Sequence, residues 1–123
     1  MINTRQSFTF DDLLLVPKYS EVDSRKLVNT SVDLGKGVKL DIPIVSANMK
    51  TVTETAMANV ISALGGLALL HRFNSVEENL QMYQDCLFKD HVGCSIGVGD
   101  DEKNRADVLA NGSPFSWSNV FGT

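Results

Sequence analysis

The most constraining feature of this sequence is a regular alternation of strand-like and helix-like segments from Pro43 onward. The strand-like runs cover 43–49, 67–70 and 92–98, and each is followed by a segment with a polar start and apolar residues at helical spacing. Strands that alternate with helices imply a parallel sheet with right-handed crossovers. We therefore predict an α/β fold with three β/α units. The pattern alone does not separate a closed barrel from an open sheet.

Local signals predict where these helices begin and end. Thr53 and Ser75 are candidate N-caps of the first and second helices. The acidic run 100–102 suits the first turn of the third helix, where negative charge favours the helix dipole. Gly65 and Gly66 follow the first helix in the manner of a glycine C-cap.

Apolar residues at helical spacing predict which helix faces pack on a core. They are Met57, Val60, Ile61 and Leu64 in the first helix, Leu80, Tyr83 and Leu87 in the second, and Ala106, Leu109 and Ala110 in the third.

The residues before Pro43 and after Ala110 lack this alternation. A weak strand at Val28–Val32 and a second arm at 38–40 predict a hairpin, with its turn at Gly35 and Gly37. Asn111–Pro114 are predicted to end the third helix. The resulting division is an N-terminal arm and hairpin at 1–42, three β/α units at 43–110, and a divergent tail at 111–123.

Composition excludes several classes of function. The chain has 123 residues, a net charge of -4 and no basic stripe, so we expect no nucleic-acid partner. No apolar run approaches the roughly 20 residues that span a bilayer, and no secretory signal is visible, so we expect no membrane association. Two cysteines are too few for a disulfide framework, which favours a cytoplasmic protein.

Several segments, in order, resemble the IMP dehydrogenase/GMP reductase family. They are FTFDDLLLVPKYSEVDSRK, PIVSANMKTVTETAMA, LGGLALLHRFNSVEE and VGCSIGVGDDEKNRADVLANG, and together they cover about residues 7–110. The resemblance implies the N-terminal portion of a TIM (β/α)8 barrel, an incomplete barrel of about three β/α units preceded by an arm and hairpin. Polar residues at two strand ends agree with a site at the carboxyl end of such a barrel.

Three features favour the GMP reductase branch of this family. Most IMP dehydrogenases carry a regulatory insert between the second barrel helix and the third strand, where this chain has only about Phe88–His91. The triplet Ala47–Met49 and the pair Ser24–Arg25 also resemble reductases. The implied reaction is NADPH-dependent deamination of GMP to IMP. The alternative is an IMP dehydrogenase, which converts IMP to XMP with NAD.

The resemblance assigns candidate cofactor-binding roles to Ser24, Arg25 and Arg72. In reductases the serine–arginine pair reaches the NADP of a neighbouring subunit, and a basic residue at the position of Arg72 contacts the cofactor phosphate. Arginine offers a fixed fork of donors to a phosphate. We interpret the adjacent His71 as a core residue.

Asn48 and Met49 match the segment that lines the purine nucleotide pocket in this family. A methionine suits a flat base through its polarisable sulfur. Lys50 departs from the aspartate common at its position, which puts that local contact in doubt.

The family works through a cysteine in a glycine-rich loop after the sixth strand, and neither Cys86 nor Cys94 matches that motif. Cys94 lies inside the third strand-like run, and Cys86 lies late in a helix. We therefore predict no catalytic residue and no metal ligand in this chain. The potassium of the complete enzyme would bind in the same late loop.

Three hypotheses follow from this resemblance. The first is that the chain is a truncated reductase-like protein without activity of its own. The second is that it is a non-catalytic partner of a complementary C-terminal fragment or of a full-length, tetrameric homologue. The third is that it folds poorly alone, because a three-strand arc leaves apolar side chains and a strand edge in water.

Overall fold

A computed structural model describes residues 6–35 and 37–112, and all structural statements concern these residues. Four strands and three α-helices follow one another in the described part. They are β1 (Val32–Gly35), β2 (Val38–Leu40), α1 (Thr55–Ala63), β3 (Ala68–Leu70), α2 (Val76–Gln84), β4 (Val92–Cys94) and α3 (Asp101–Gly112). Single 3-10 turns lie at Phe10–Asp12, Arg25–Leu27 and Lys89–His91.

The predicted hairpin is present, but its first strand lies further along the chain than expected. β1 pairs antiparallel with β2, with Val32 opposite Leu40, whereas the prediction placed the strand at Val28–Val32. The side chain of Asn29 accepts a hydrogen bond from the Ser31 amide at 2.9 Å. This local turn competes with strand pairing and delays its start.

Three parallel segments form an arc, as the alternation predicted. β3 pairs parallel with β4, with Ala68 opposite Val92 and Leu70 opposite Cys94. The first predicted strand, 43–49, is reduced to one parallel bridge between Val45 and Leu67. The order of the arc is therefore the 44–46 segment, β3 and β4, with the crossovers made by α1 and α2. The described residues do not close into a barrel.

The core lies between this arc and the helices. Its buried members come from α1, β3, α2, the turn after α2 and the start of β4: Ala58, Ala68, Leu70, Tyr83, Cys86 and Val92. Leu109 of α3 is also buried, as its spacing predicted.

The predicted core face of α1 is largely wrong. Met57, Val60 and Leu64 are 42%, 57% and 58% exposed. The helix instead buries Ala58 and Ser62 against the arc, because small side chains allow the helix backbone to approach β3 closely.

Two helix boundaries follow the sequence signals, and the start of α1 does not. Ser75 caps α2 with a full capping box, and Gly65 ends α1 with a φ of 77°. Thr53 does not cap α1: the N-cap is Glu54, and the Thr53 hydroxyl donates to the carbonyl of Ala47 at 2.6 Å instead. α3 is described to Gly112, inside the segment Asn111–Pro114 that is predicted to end it.

The N-terminal arm exposes a long apolar stretch. Phe10, Leu14 and Leu15 are more than nine-tenths exposed. In the described part of the chain, no helix is long and apolar enough to cross a membrane. The predicted tail at 111–123 lies outside the described residues from Ser113 onward.

Candidate functional site at the carboxyl ends of the parallel strands

Side chains that follow the three parallel segments meet at one end of the arc. The Asn48 amide donates to the Ser95 hydroxyl at 2.8 Å, which joins the first segment to the end of β4. The Ser95 amide in turn donates to the carbonyl of Leu70 at 3.0 Å. The loops after all three segments are therefore linked, because parallel strands present their carboxyl ends at one edge.

His71 is buried directly after β3 and is held on both ring nitrogens. Its Nδ1 accepts from the Phe73 amide at 3.1 Å, and its Nε2 lies 3.4 Å from Oε1 of Glu54. A neutral ring with its proton on Nε2 satisfies both contacts. The side chain is 1% exposed, in agreement with its interpretation as a core histidine.

A buried arginine, Arg105, ties α3 to the loop after β3. Its guanidinium donates to the carbonyl of Asn74 at 2.9 Å and to Oδ1 of Asn79 at 3.2 Å. The amide of Asn79 donates to the carbonyl of His71 at 3.1 Å. Sequence reasoning missed Arg105, although it shares a helix face with the buried Leu109, four residues later.

Arg72 stands at the rim of this network, and its side chain is 44% exposed. One guanidinium nitrogen lies 3.4 Å from Oε1 of Glu102, and the guanidinium lies 5.8 Å from the centre of the Phe73 ring. The other carboxylate oxygen of Glu102 accepts from the Gly97 amide at 2.9 Å. This peptide hydrogen bond, with the two arginines, lowers the pKa of Glu102 below its usual value, so the carboxylate is ionised at neutral pH.

Ser24 and Arg25 lie apart from these contacts, on the exposed N-terminal arm. Ser24 caps the 3-10 turn by accepting from the Lys26 amide at 3.3 Å. Among the described residues, no hydrogen bond or ion pair joins this pair to Asn48 or Arg72.

Met49 and Lys50 follow Asn48 and are exposed. The Met49 side chain is 53% exposed, which leaves it accessible to a ligand. Lys50 lines an open cleft of about 510 Å³ between α1 and α2, together with Glu54, His71 and Asp85. Acidic side chains of Glu54 and Asp85 thus line the same cleft as the lysine.

Both cysteines are poor nucleophiles in this environment. Burial raises the pKa of the Cys94 thiol to about 12, and burial likewise raises the pKa of Cys86. A neutral thiol is a weak nucleophile, since the thiolate is the reactive form. In the described ranges, no group of three or more His, Cys, Asp or Glu side chains could hold a metal ion.

Comparison with known proteins decides the family. The family model described as "IMP dehydrogenase / GMP reductase domain" matches residues 7–113. The chain belongs to this family.

Individual family members match over the same region. An inosine-5'-monophosphate dehydrogenase of Nitrosopumilus maritimus is 45% identical over 74 residues, which are 60% of this chain and 16% of that protein. A GMP reductase of Leishmania donovani is 48% identical over 77 residues, 63% of this chain and 16% of that protein. The chain thus spans about a sixth of the length of these relatives.

A solved structure of the IMP dehydrogenase/GMP reductase family has the same fold over the matched part. The crystal structure of inosine 5'-monophosphate dehydrogenase from Legionella pneumophila superposes with a TM-score of 0.78 at 42% sequence identity. The match covers 87% of this chain and 33% of that one. Dehydrogenases and reductases both match well, so similarity establishes an oxidoreductase family of purine nucleotides without selecting a branch.

Proposed function

We propose that this chain is the N-terminal part of a GMP reductase-type (β/α)8 barrel and provides one edge of a site for a purine nucleotide and NADPH. The observation that carries the proposal is the convergence of Asn48, Ser95 and Arg72 at the carboxyl ends of the parallel segments. Ligands of parallel α/β folds bind at that end.

The residues around Arg72 fit a nicotinamide dinucleotide phosphate. The guanidinium is half-exposed, so it can reach a ligand, and it is oriented by an ionised carboxylate. Arginine binds phosphate through charge-assisted, often bidentate hydrogen bonds. When bound, NADPH supplies the hydride of the family reaction.

The nucleotide side of the proposed site is formed by Asn48 and Met49. The amide of Asn48 is fixed by Ser95 at 2.8 Å, while the neighbouring Met49 is half-exposed. A polarisable thioether beside an oriented amide suits the face and edge of a purine.

We further propose that this chain alone does not turn over its substrates. The family reaction needs a thiolate, and the two thiols of this chain are held neutral by burial. The residues that complete the site, including the nucleophile and the potassium-binding loop, would come from a longer polypeptide, a complementary fragment or a homologous subunit of a tetramer.

The second candidate is a part of an IMP dehydrogenase that uses NAD. The matches to dehydrogenases at 42–47% identity favour it as much as the reductase match at 48% favours a reductase. The short connection of α2 to β4, through the 3-10 turn at Lys89–His91, favours the reductase because it leaves no room for a regulatory insert.

The relative affinities of the chain for NADPH and NADH distinguish a GMP reductase from an IMP dehydrogenase. We expect calorimetry on the purified chain to show tighter binding of NADPH than of NADH, and Arg72→Met to weaken NADPH binding roughly 10- to 100-fold through loss of a charge-assisted contact. The matched control, Lys39→Met, removes an exposed positive charge on β2 and should leave binding unchanged. Equal affinity for NADPH and NADH would contradict the reductase assignment.

A further inference from the structure

We propose that Glu102 is a positioning residue that orients Arg72 toward the cofactor phosphate. The inference rests on the proposed function, since it concerns the same phosphate contact. It adds a residue from the beginning of α3, well separated from Arg72 along the chain.

The Glu102 carboxylate connects three groups at once. Oε1 lies 3.4 Å from Nη1 of Arg72, and Oε2 accepts from the Gly97 amide at 2.9 Å. Oε2 also lies 3.2 Å from Nε of Arg105. The side chain is 18% exposed, so most of its contacts are with the protein rather than with water.

The carboxylate itself contacts a buried part of the fold. Arg105 is 8% exposed and donates to Asn74, Ser75 and Asn79. Through Glu102, this buried arginine restrains Arg72, which is half-exposed and has a flexible stem. Within the described residues, Glu102 is the only acceptor that the Arg72 guanidinium reaches, which leaves its other donors for a ligand.

The space around Gly97 shows how closely Glu102 and Arg72 are packed. A Cβ at this position would lie 2.8 Å from Cγ of Glu102 and 3.2 Å from Nη1 of Arg72. A methyl group here would therefore displace the pair without changing any charge. The glycine allows the turn after β4 to approach the ion pair.

Ordering a long side chain before binding reduces the entropy lost on binding. An Arg72 already directed by Glu102 loses less conformational entropy on binding a phosphate than a freely rotating arginine does. We expect Glu102→Gln, which keeps the shape but removes the charge, to weaken NADPH binding about two- to tenfold. Gly97→Ala should act in the same direction by displacement.

The experiment combines NADPH titration with ¹⁵N relaxation of the Arg72 Nε–Hε group in the ligand-free chain. The expected result is a restrained Arg72 in the wild type, and a mobile Arg72 with weaker NADPH binding in both variants. Glu77→Gln is the matched control, an exposed acid in the first turn of α2, and should change neither quantity. An Arg72 equally restrained in wild type and both variants would overturn the proposal, as would unchanged NADPH affinity.

The proposed function and the ordering of Arg72 by Glu102 can be overturned separately. A wild-type chain that binds no NADPH overturns the proposed function. The relaxation measurement then still supports or overturns the ordering of Arg72 by Glu102, because it needs no ligand.

Discussion

Asn48 and Ser95 are 47 residues apart in sequence, yet their side chains form a 2.8 Å hydrogen bond between the first and last parallel segments. The bond spans β3 and links the loops on either side of it. It is the direct contact between the segment that we propose to bind the nucleotide and the end of β4.

Replacing Ser95 by alanine should loosen this link. We expect Ser95→Ala to lower the free energy of unfolding by about 0.5–1.5 kcal/mol, the usual net value of one hydrogen bond. Urea denaturation followed by circular dichroism measures this change. Ser31→Ala, at an exposed serine before β1, is the control and should stay within about 0.5 kcal/mol of wild type. Equal effects of the two substitutions would show that the Asn48 contact contributes nothing.

Among the charged residues that the structure describes, we expect substitution of Arg105 to lower the free energy of unfolding most. Arg105→Met leaves the buried acceptors of Asn74 and Asn79 without their donor, so we expect a loss of about 2–5 kcal/mol. Lys103→Met removes an exposed charge from the same helix and should cost less than about 0.5 kcal/mol. Thermal unfolding of the two variants checks the difference, and similar melting temperatures would argue against the buried network.

Gly65 is required by backbone conformation and by space. Its φ is 77°, and an added Cβ would lie 2.5 Å from the Asp41 side chain. We expect Gly65→Ala to destabilise the chain by about 1–3 kcal/mol. Gly99→Ala is the control, because nothing lies within 4 Å of its added Cβ and its φ is not positive. A Gly65→Ala variant as stable as Gly99→Ala would contradict the strained turn after α1.

Because the thiol of Cys94 is buried, we expect the stability of the fold to fall at alkaline pH. Its pKa is raised to about 12 from an ordinary value of 9.0. Below pH 9 the thiol is neutral in both the folded and the unfolded chain. As the pH rises from 9 toward 12 the unfolded chain ionises first, so the free energy of unfolding falls.

We therefore expect Cys94→Ala to lose less stability between pH 9 and 12 than the wild type loses. Urea midpoints across this pH range measure the effect. The comparison with the variant cancels the titration of lysines and tyrosines. Parallel pH profiles for the two proteins would show that Cys94 is not shielded from ionisation.

Sequence patterns predicted the features of this fold that depend on neighbouring residues. The capping box of Ser75 and the glycine end of α1 at Gly65 act within one helical turn, so local signals are enough to place them. The alternation of strands and helices likewise predicted the parallel arc.

The remaining features depend on contacts that no local pattern records. α1 buries Ala58 and Ser62 rather than its larger apolar residues, because close approach to β3 favours small side chains. Arg105 resembles a solvated helix residue in sequence, and its burial depends on acceptors 26 to 31 residues away. Of the predicted ligand contacts, the structure brings Asn48 and Arg72 to the same end of the arc but leaves Ser24 and Arg25 on the exposed arm.

Turnover by the isolated chain tests the central claim most directly. The claim is that these residues form a ligand-binding edge whose own thiols cannot act as the nucleophile. The measurement is NADPH oxidation with GMP, and NAD reduction with IMP, by the purified 123-residue chain without any other polypeptide. We predict no turnover in either direction. Steady conversion of either nucleotide would contradict the account, and its loss when Cys86 or Cys94 is replaced by serine would identify that thiol as the nucleophile.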